Sequence, residues 1–169
     1  MSFESSWADG IAAAREVLDE ARRRNVLCAT AESCTGGLVG ALLTAIPGSS
    51  DAYAGGVIAY SNDVKSSVLG VTTDSLQRYG AVSEEVAVAM ATGVARAVGA
   101  DVAVSVTGVA GPGGGTPDKP VGLVCFAAVS PVGARSERMR FAGDRAAVRA
   151  AAAIHALVLM ASALREMSC

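Results

Sequence analysis

The sequence has 169 residues, of which 51% are apolar, and it carries a formal net charge of −2. That length is typical of a single domain with one sizeable core, and the absence of a basic stripe argues against a partner made of nucleic acid or a membrane surface. The sequence shows no signal-peptide pattern and no apolar run of about eighteen residues, so we expect a cytoplasmic protein that does not cross a membrane.

The predicted elements alternate between helix and strand, which is typical of an α/β fold. In chain order we predict a helix over 9–24, a strand over 26–30, a helix over 35–46, a strand over 57–60, short helices over 62–70 and 73–79, a helix capped by Ser83, strands over 101–107, 121–129 and 136–141, and a last helix over 144–167. This order predicts a three-layer α/β/α sandwich around a mixed, mostly parallel sheet of about five to six strands. The strand over 121–129 is almost continuously apolar and is placed inside the sheet, whereas the one over 136–141 alternates charged and apolar residues and is placed at an edge.

Two glycine-bearing turns at the ends of predicted strands are candidate ligand sites. One opens the helix over 35–46, where free backbone N–H groups favour an anion, although a tight turn without a ligand fits equally well. The other is the loop over 108–115, whose five glycines let the backbone approach a ligand closely; a flexible surface loop is the alternative. The candidate substrate-binding residues in these segments are Ser33, Thr35, Gly36, Thr107, Gly108, Gly111 and Gly113.

Two arginines at the start of the last helix could grip a phosphate through paired N–H groups. They are Arg145 and Arg149, one helical turn apart. Solvation, or pairing with Asp144, is an equally good interpretation. The four cysteines are scattered and have no paired spacing, so we expect no zinc site. The sequence contains neither a Walker loop nor a dinucleotide-binding motif, so we expect no cofactor.

The reactive side chains suggest a hydrolase that works without histidine. Serine needs a base to remove its proton, and the only histidine, His155, falls in the middle of an apolar helix. A lysine can serve as the base if burial lowers its pKa, and Lys65 follows Tyr60 by five residues. Ser50, in the turn over 47–50, and Ser33 are the candidate nucleophiles. A surface lysine, a core tyrosine and turn-forming serines are the alternative interpretation of these residues.

Seven motifs occur in a fixed order and together resemble a known family. They are Ala-Glu-Ser-Cys-Thr-Gly-Gly at 31–37, Pro-Gly-Ser-Ser at 47–50, Tyr-Ser-Asn-Asp-Val-Lys at 60–65, Gly-Ala-Val-Ser at 80–83, Thr-Gly-Val-Ala-Gly-Pro-Gly-Gly at 107–114, Lys-Pro-Val-Gly at 119–122 and Gly-Asp-Arg-Ala-Ala-Val-Arg at 143–149. Over about residues 10–165 the sequence resembles the CinA C-terminal domain family, the nicotinamide-nucleotide amidohydrolases. From this resemblance we predict that the whole chain, 1–169, forms one such domain.

The resemblance implies hydrolysis of nicotinamide mononucleotide to nicotinate mononucleotide and ammonia, without a metal or cofactor. The family's proposed catalytic set maps onto Ser50, Tyr60 and Lys65, with Ser33 as a rival nucleophile. The substrate phosphate would lie either at the helix opening at Thr35 or at the loop over 108–115 with Arg145.

The resemblance also implies a homodimer or a higher homo-oligomer. Many relatives carry an additional N-terminal domain, and the pyrophosphatase activity attributed to that domain is not expected of these residues. A non-catalytic pyridine-nucleotide-binding or regulatory domain is the alternative function. A Mg²⁺-dependent phosphate enzyme fits poorly because the sequence has no Walker lysine.

Overall fold

The computed structural model describes residues 3–167 and contains five strands and six α-helices within them. In chain order these are α1 Phe3–Arg24, β1 Cys28–Glu32, α2 Leu38–Thr44, β2 Tyr53–Ile58, α3 Asn62–Ser67, α4 Thr73–Tyr79, α5 Glu84–Val98, β3 Val102–Gly108, β4 Leu123–Ser130, β5 Gly133–Arg140 and α6 Arg145–Glu166. A short 3₁₀ turn, Ser49–Asp51, precedes β2. The predicted succession of helices and strands is therefore confirmed.

The strands form one mixed sheet in the order β2-β1-β3-β4-β5. β1 pairs in parallel with β2 and β3, whereas β4 runs antiparallel to both of its neighbours. The predicted mixed, mostly parallel sheet is confirmed, with β4 inside it and β5 at an edge. Because β1, β2 and β3 point the same way, the loops that follow their carboxyl ends meet at one edge of the sheet.

Helices cover both faces of the sheet, and side-chain size on β3 separates the two layers. Val102, Val104 and Val106 share a core with α1, α2 and α6. The residues between them are small: Ala103 packs toward α5, and the Ser105 hydroxyl donates to the carbonyl of Ala87 on α5 at 2.6 Å. Small residues on this face let α5 approach the sheet closely, which fixes the position of the loops around it.

Helix α6 is long and apolar enough, by length and composition alone, to cross a membrane, which our search for apolar runs did not anticipate. Its apolar face is used inside the fold. Ala156, Leu157 and Met160 have no exposed surface and belong to the core shared with α1 and the sheet. A helix buried in this way is a core helix, as expected for the last layer of the sandwich.

Two element boundaries differ from the predictions because of glycine. Helix α2 begins at Leu38 and not at Thr35, because Gly36 and Gly37 adopt positive φ angles of 62° and 94° and form a turn. Strand β2 begins at Tyr53, earlier than predicted. Position 56 within that strand must be glycine, because a Cβ there would lie 2.2 Å from Thr30 Oγ1 on the neighbouring strand.

Gly93 on α5 provides a test of the close packing on this face. A Cβ at this position would lie 2.0 Å from the backbone carbonyl oxygen of Leu69. We expect Gly93→Ala to lower the free energy of unfolding by roughly 1–3 kcal/mol, because the helix must move away from the loop. Urea unfolding measures this. Gly113→Ala, where an added Cβ meets nothing within 4 Å, is the control and should change stability by less than about 0.5 kcal/mol; equal losses in the two variants would contradict the packing argument.

Candidate active site

A serine and a lysine meet at the carboxyl edge of the sheet. Ser33 directly follows β1, and Lys65 lies on α3, the helix that follows β2. Lys65 Nζ lies 3.0 Å from Ser33 Oγ, and the exposed fractions of the two residues are only 2% and 8%. Because β1 and β2 are parallel neighbours, the fold brings together two residues that are 32 positions apart.

The surroundings of Lys65 favour a neutral amine. Burial lowers the pKa of Lys65 from its ordinary value of 10.5, and the nearby Cys34 opposes this only in part. The amine also lies 2.8 Å from the carbonyl oxygen of Ala59 and 3.4 Å from that of Tyr60. A neutral amine can donate its two N–H groups to these carbonyls and direct its lone pair at the Ser33 hydroxyl. This geometry suits a general base.

The turn that carries Ser33 is held by the buried carboxylate of Glu32. That carboxylate accepts four hydrogen bonds of 2.7–3.1 Å, from Thr35 Oγ1 and from the backbone N–H groups of Gly37, Val39 and Gly40. It therefore fills the N-terminal end of α2, where the sequence predicted a site for the substrate phosphate. The helix end thus already holds an anion from the chain itself, and the Thr35 hydroxyl is one of its donors. An acidic residue directly before the Ser-Cys-Thr-Gly-Gly turn was the signal that could have revealed this.

The serine and lysine open into a cavity of about 250 Å³. Six of the sequence-predicted site residues line it, namely Ser33, Tyr60, Lys65, Thr107, Gly108 and Arg145. Thr107 and Gly108 end β3, so the carboxyl end of that strand forms one wall. The sequence analysis did not predict that Cys34 lines this cavity.

Cys34 is a nucleophilic side chain beside Ser33, but its burial disfavours the reactive thiolate. Burial, as the main cause, raises the pKa of its thiol to about 12. A thiol with such a pKa stays protonated near neutral pH, and only the thiolate is a strong nucleophile. Of the two adjacent nucleophiles, Ser33 is therefore the one with a base in contact.

Tyr60 lies at the rim of the cavity. Its side chain is turned toward solvent, with 60% of the residue exposed, and its phenol oxygen accepts a hydrogen bond of 2.9 Å from Arg145 Nη2. Only its backbone carbonyl contacts the Lys65 amine. The structure thus places Tyr60 beside Lys65, with its phenol hydrogen-bonded to Arg145.

Ser50 lies apart from this cavity. It belongs to the exposed 3₁₀ turn that precedes β2, whereas Lys65 follows the other end of that strand. A strand of six residues spans about 20 Å, so Ser50 and Lys65 occupy opposite edges of the sheet. The structure therefore brings Lys65 to Ser33, the rival nucleophile of the sequence analysis, and does not bring it to Ser50.

The glycine-rich loop contributes unequally to the site. The carbonyl of Gly111 accepts a hydrogen bond of 2.8 Å from Arg145 Nη1, which ties the loop to α6. Gly108 must lack a side chain because a Cβ would lie 2.7 Å from the backbone oxygen of Leu123. Gly113 is exposed and has open space around it, so its predicted role in binding has no support from its position.

Comparisons with known proteins agree with the resemblance found in the sequence. The family model described as the CinA C-terminal domain matches residues 11–164. The chain is 55% identical over 138 residues to a CinA-like protein of Synechococcus sp. (strain RCC307), covering 82% of this chain and 33% of that relative. A CinA-like protein of Myxococcus xanthus (strain DK1622) is 50% identical over 153 residues, covering 90% of this chain and 36% of that relative. The chain thus spans about a third of the length of these curated relatives.

Solved structures also match the chain over most of its length. The competence/damage inducible protein CihA from Agrobacterium tumefaciens gives a TM-score of 0.89 at 41% identity and covers 94% of this chain and 96% of its own. The competence damage-inducible protein A (ComA) from Klebsiella pneumoniae subsp. pneumoniae MGH 78578 gives a TM-score of 0.90 at 36% identity, covering 94% and 99% respectively. The fold is therefore shared with these proteins.

Replacing Glu32 tests whether its carboxylate holds the turn. In Glu32→Gln an amide NH₂ group would face backbone N–H donors that now bond to an oxygen. We expect this to lower the free energy of unfolding by roughly 1–3 kcal/mol, as measured by urea unfolding. Glu85→Gln, an exposed position in the first turn of α5, is the matched control and should shift stability by less than about 0.5 kcal/mol. A Glu32→Gln protein as stable as the control would show that the turn does not need the charge.

Proposed function

The chain belongs to the CinA C-terminal domain family, and from that premise we propose that it hydrolyses the carboxamide of nicotinamide mononucleotide to nicotinate mononucleotide and ammonia. The observation that carries the proposal is the 3.0 Å contact between Lys65 Nζ and Ser33 Oγ inside a cavity. A buried serine with a lysine base is a known solution for opening an amide without histidine. The substrate comes from the family resemblance, since the relatives' names specify none.

We assign the nucleophile to Ser33, with Lys65 as the general base. The neutral amine takes the hydroxyl proton while Ser33 Oγ attacks the carboxamide carbon. Lys65 then passes that proton to the amide nitrogen, which leaves as ammonia, and Ser33 remains as an acyl ester. The lysine, neutral again, removes a proton from a water molecule that attacks the ester carbon, and it gives that proton to Ser33 Oγ as the acid leaves. One water is consumed, and one carboxylic acid and one ammonia are formed.

The remaining wall of the cavity has supporting roles in this proposal. The negative oxygen of the tetrahedral intermediate would be stabilised by backbone N–H groups around the nucleophile. Tyr60 and Arg145, joined at the rim, would contact the part of the substrate that extends out of the cavity. A phenol in that position contributes to binding and orientation, and the proton transfers belong to Lys65.

Two alanine substitutions separate the candidate nucleophiles. We expect Ser33→Ala to lower kcat on nicotinamide mononucleotide by about 10³-fold or more, because no other hydroxyl within residues 3–167 contacts the base. Ser50→Ala should retain activity within about threefold, since exposed positions away from the site rarely matter. A coupled assay of ammonia release measures both.

The opposite pattern, with Ser50→Ala inactive and Ser33→Ala active, would return the assignment to Ser50. Wild-type protein that binds nicotinamide mononucleotide and releases no ammonia would instead support the non-catalytic binding domain. Thermal unfolding of each variant confirms that a loss of turnover is not a loss of folded protein.

The pH profile tests the lysine base. The reaction needs the neutral amine, so kcat/KM should rise with pH as Lys65 loses its proton and become constant above the pKa. Because burial lowers that pKa from 10.5, the midpoint of the rise should lie below pH 10.5. Lys65→Arg keeps a positive charge that cannot be lost and should be inactive at every pH. Lys119→Arg, at the only other lysine, should retain the wild-type profile; a flat profile in the wild type would exclude Lys65 as the base.

A further inference from the structure

The two edge strands of the sheet differ in charge. β5 carries four charged side chains, namely Arg135, Glu137, Arg138 and Arg140, and charged side chains on an edge strand discourage pairing with another chain. β2, at the opposite edge, has the sequence Tyr-Ala-Gly-Gly-Val-Ile and carries none. The stretch without charge extends over residues 52–62. Of the two edges, β2 therefore lacks the charges that keep β5 unpaired.

The outer side of β2 has no hydrogen-bond partner within residues 3–167. Its only neighbouring strand there is β1, and no backbone hydrogen bond of residues 53–58 reaches beyond that pair. The N–H of Ala59 bonds to the carbonyl of Glu32 at 2.7 Å, on the β1 side. Because the backbone groups of successive residues in a strand point to alternate sides, those of Gly56 and Ile58 point away from β1 and are open to another strand.

Apolar side chains accompany this open edge. The exposed fraction of Ile58, the last residue of β2, is 53%, and that of Tyr60 is 60%. Ala54 and Gly56 are exposed as well, and both are small. Exposed apolar surface beside open backbone groups is typical of a strand that adds to the sheet of another chain.

A second copy of this chain fits the edge of β2. A two-fold axis places β2 beside an antiparallel copy of itself, so that both strands offer the same open groups. An axis at Gly56 brings Ala54 close to the partner's Ile58, and Gly56 itself has no side chain to obstruct the approach of the two backbones. Because residues 52–62 carry no charge, no like charges face each other across the pair.

The open edge ends at the catalytic cavity. Ala59 and Tyr60 directly follow β2, and their carbonyl oxygens lie 2.8 Å and 3.4 Å from Lys65 Nζ. Within one chain, the strand that leads to these carbonyls is held from the β1 side alone. A partner strand on the other side would restrain the same backbone and, through it, the position of the amine.

We propose that β2 pairs in antiparallel orientation with β2 of a second copy, which gives a continuous sheet of ten strands, five from each copy, and that this pairing holds the carbonyl groups that orient Lys65. The resemblance in the sequence implies a homo-oligomer but not the surface that it uses. The effect on Lys65 rests on the proposed function, whereas the pairing itself does not.

A lysine on the edge strand tests the pairing. We expect light scattering to give the wild type the mass of two chains of 16.8 kDa. Ala54→Lys should raise the dissociation constant of the dimer by at least about 100-fold, because each copy then places a charge beside an apolar side chain of the other. Two variants should remain dimers: Ala54→Thr, which adds no charge, and Ala134→Lys, at an exposed alanine on β5. A monomeric wild type, or a dimer that Ala54→Lys does not weaken, would overturn the pairing.

Turnover of the monomeric variant tests the effect on the base. We expect Ala54→Lys to lower kcat on nicotinamide mononucleotide by about tenfold or more, because the amine is less well positioned, and Ala134→Lys to stay within about threefold of the wild type. Urea unfolding confirms that both variants are folded. A folded monomer with the kcat of the wild type would overturn the role of the pairing at the site.

Two measurements separate this pairing from the proposed reaction. Failure of the wild type to release ammonia would refute the proposed function, while light scattering would still decide whether β2 pairs. An NMR titration of the Lys65 amine then decides the effect on the lysine without turnover. Its pKa should be higher in Ala54→Lys than in the wild type and closer to 10.5, because a loosened amine is better hydrated; equal pKa values would overturn that effect.

Discussion

The site depends on the burial of one lysine amine that has no acidic partner. Lys65 is 2% exposed, and within residues 3–167 it forms no ion pair with a carboxylate. An ammonium ion in such a place is costly, so burial shifts the equilibrium toward the free amine. A carboxylate beside it would restore the charged form, which cannot accept a proton. The carbonyl groups of Ala59 and Tyr60 orient the amine without adding an opposite charge, which is what a lysine base at the end of a parallel strand requires.

The N-termini of α2 and α6 differ in the charge of the side chains that lie beside them. The N-terminus of α2 is filled by Glu32, whose four hydrogen bonds fix the turn that carries Ser33. The N-terminus of α6 instead carries two arginines whose acceptors are all uncharged. The first end is therefore a closed structural unit, and the second carries positive charge that no carboxylate within residues 3–167 pairs with. Both lie at the edge of the sheet where β1, β2 and β3 end.

Local signals in the sequence were sufficient for most of the fold. The cap Ser83 was predicted and is confirmed, because a cap depends only on the residues of its own first turn. The start of β2 could not be predicted, since Gly56 is required by Thr30 on another strand. The contact between Lys65 and Ser33 could not be predicted from local signals either, because it joins residues from different elements. It follows from the parallel register of β1 and β2, which places Ser33 beside the end of β2 and leaves Ser50 at the beginning of that strand.

Charged side chains at this edge of the sheet lower the stability of the fold, and close packing in the rest of the chain offsets that loss. A buried amine and two arginines at a positive helix end each lower stability relative to apolar or neutral alternatives. The rest of the fold offsets these costs with short side chains that let helices and loops pack closely. Gly93 leaves room for the backbone of Leu69, and Ala152, Ala153 and Ala156 are fully buried on α6. Close backbone packing also limits movement of the loops that follow the strands. A proton transfer over 3.0 Å between two side chains on different elements requires loops that move little. The alanine-rich core therefore supports the geometry of the reactive pair.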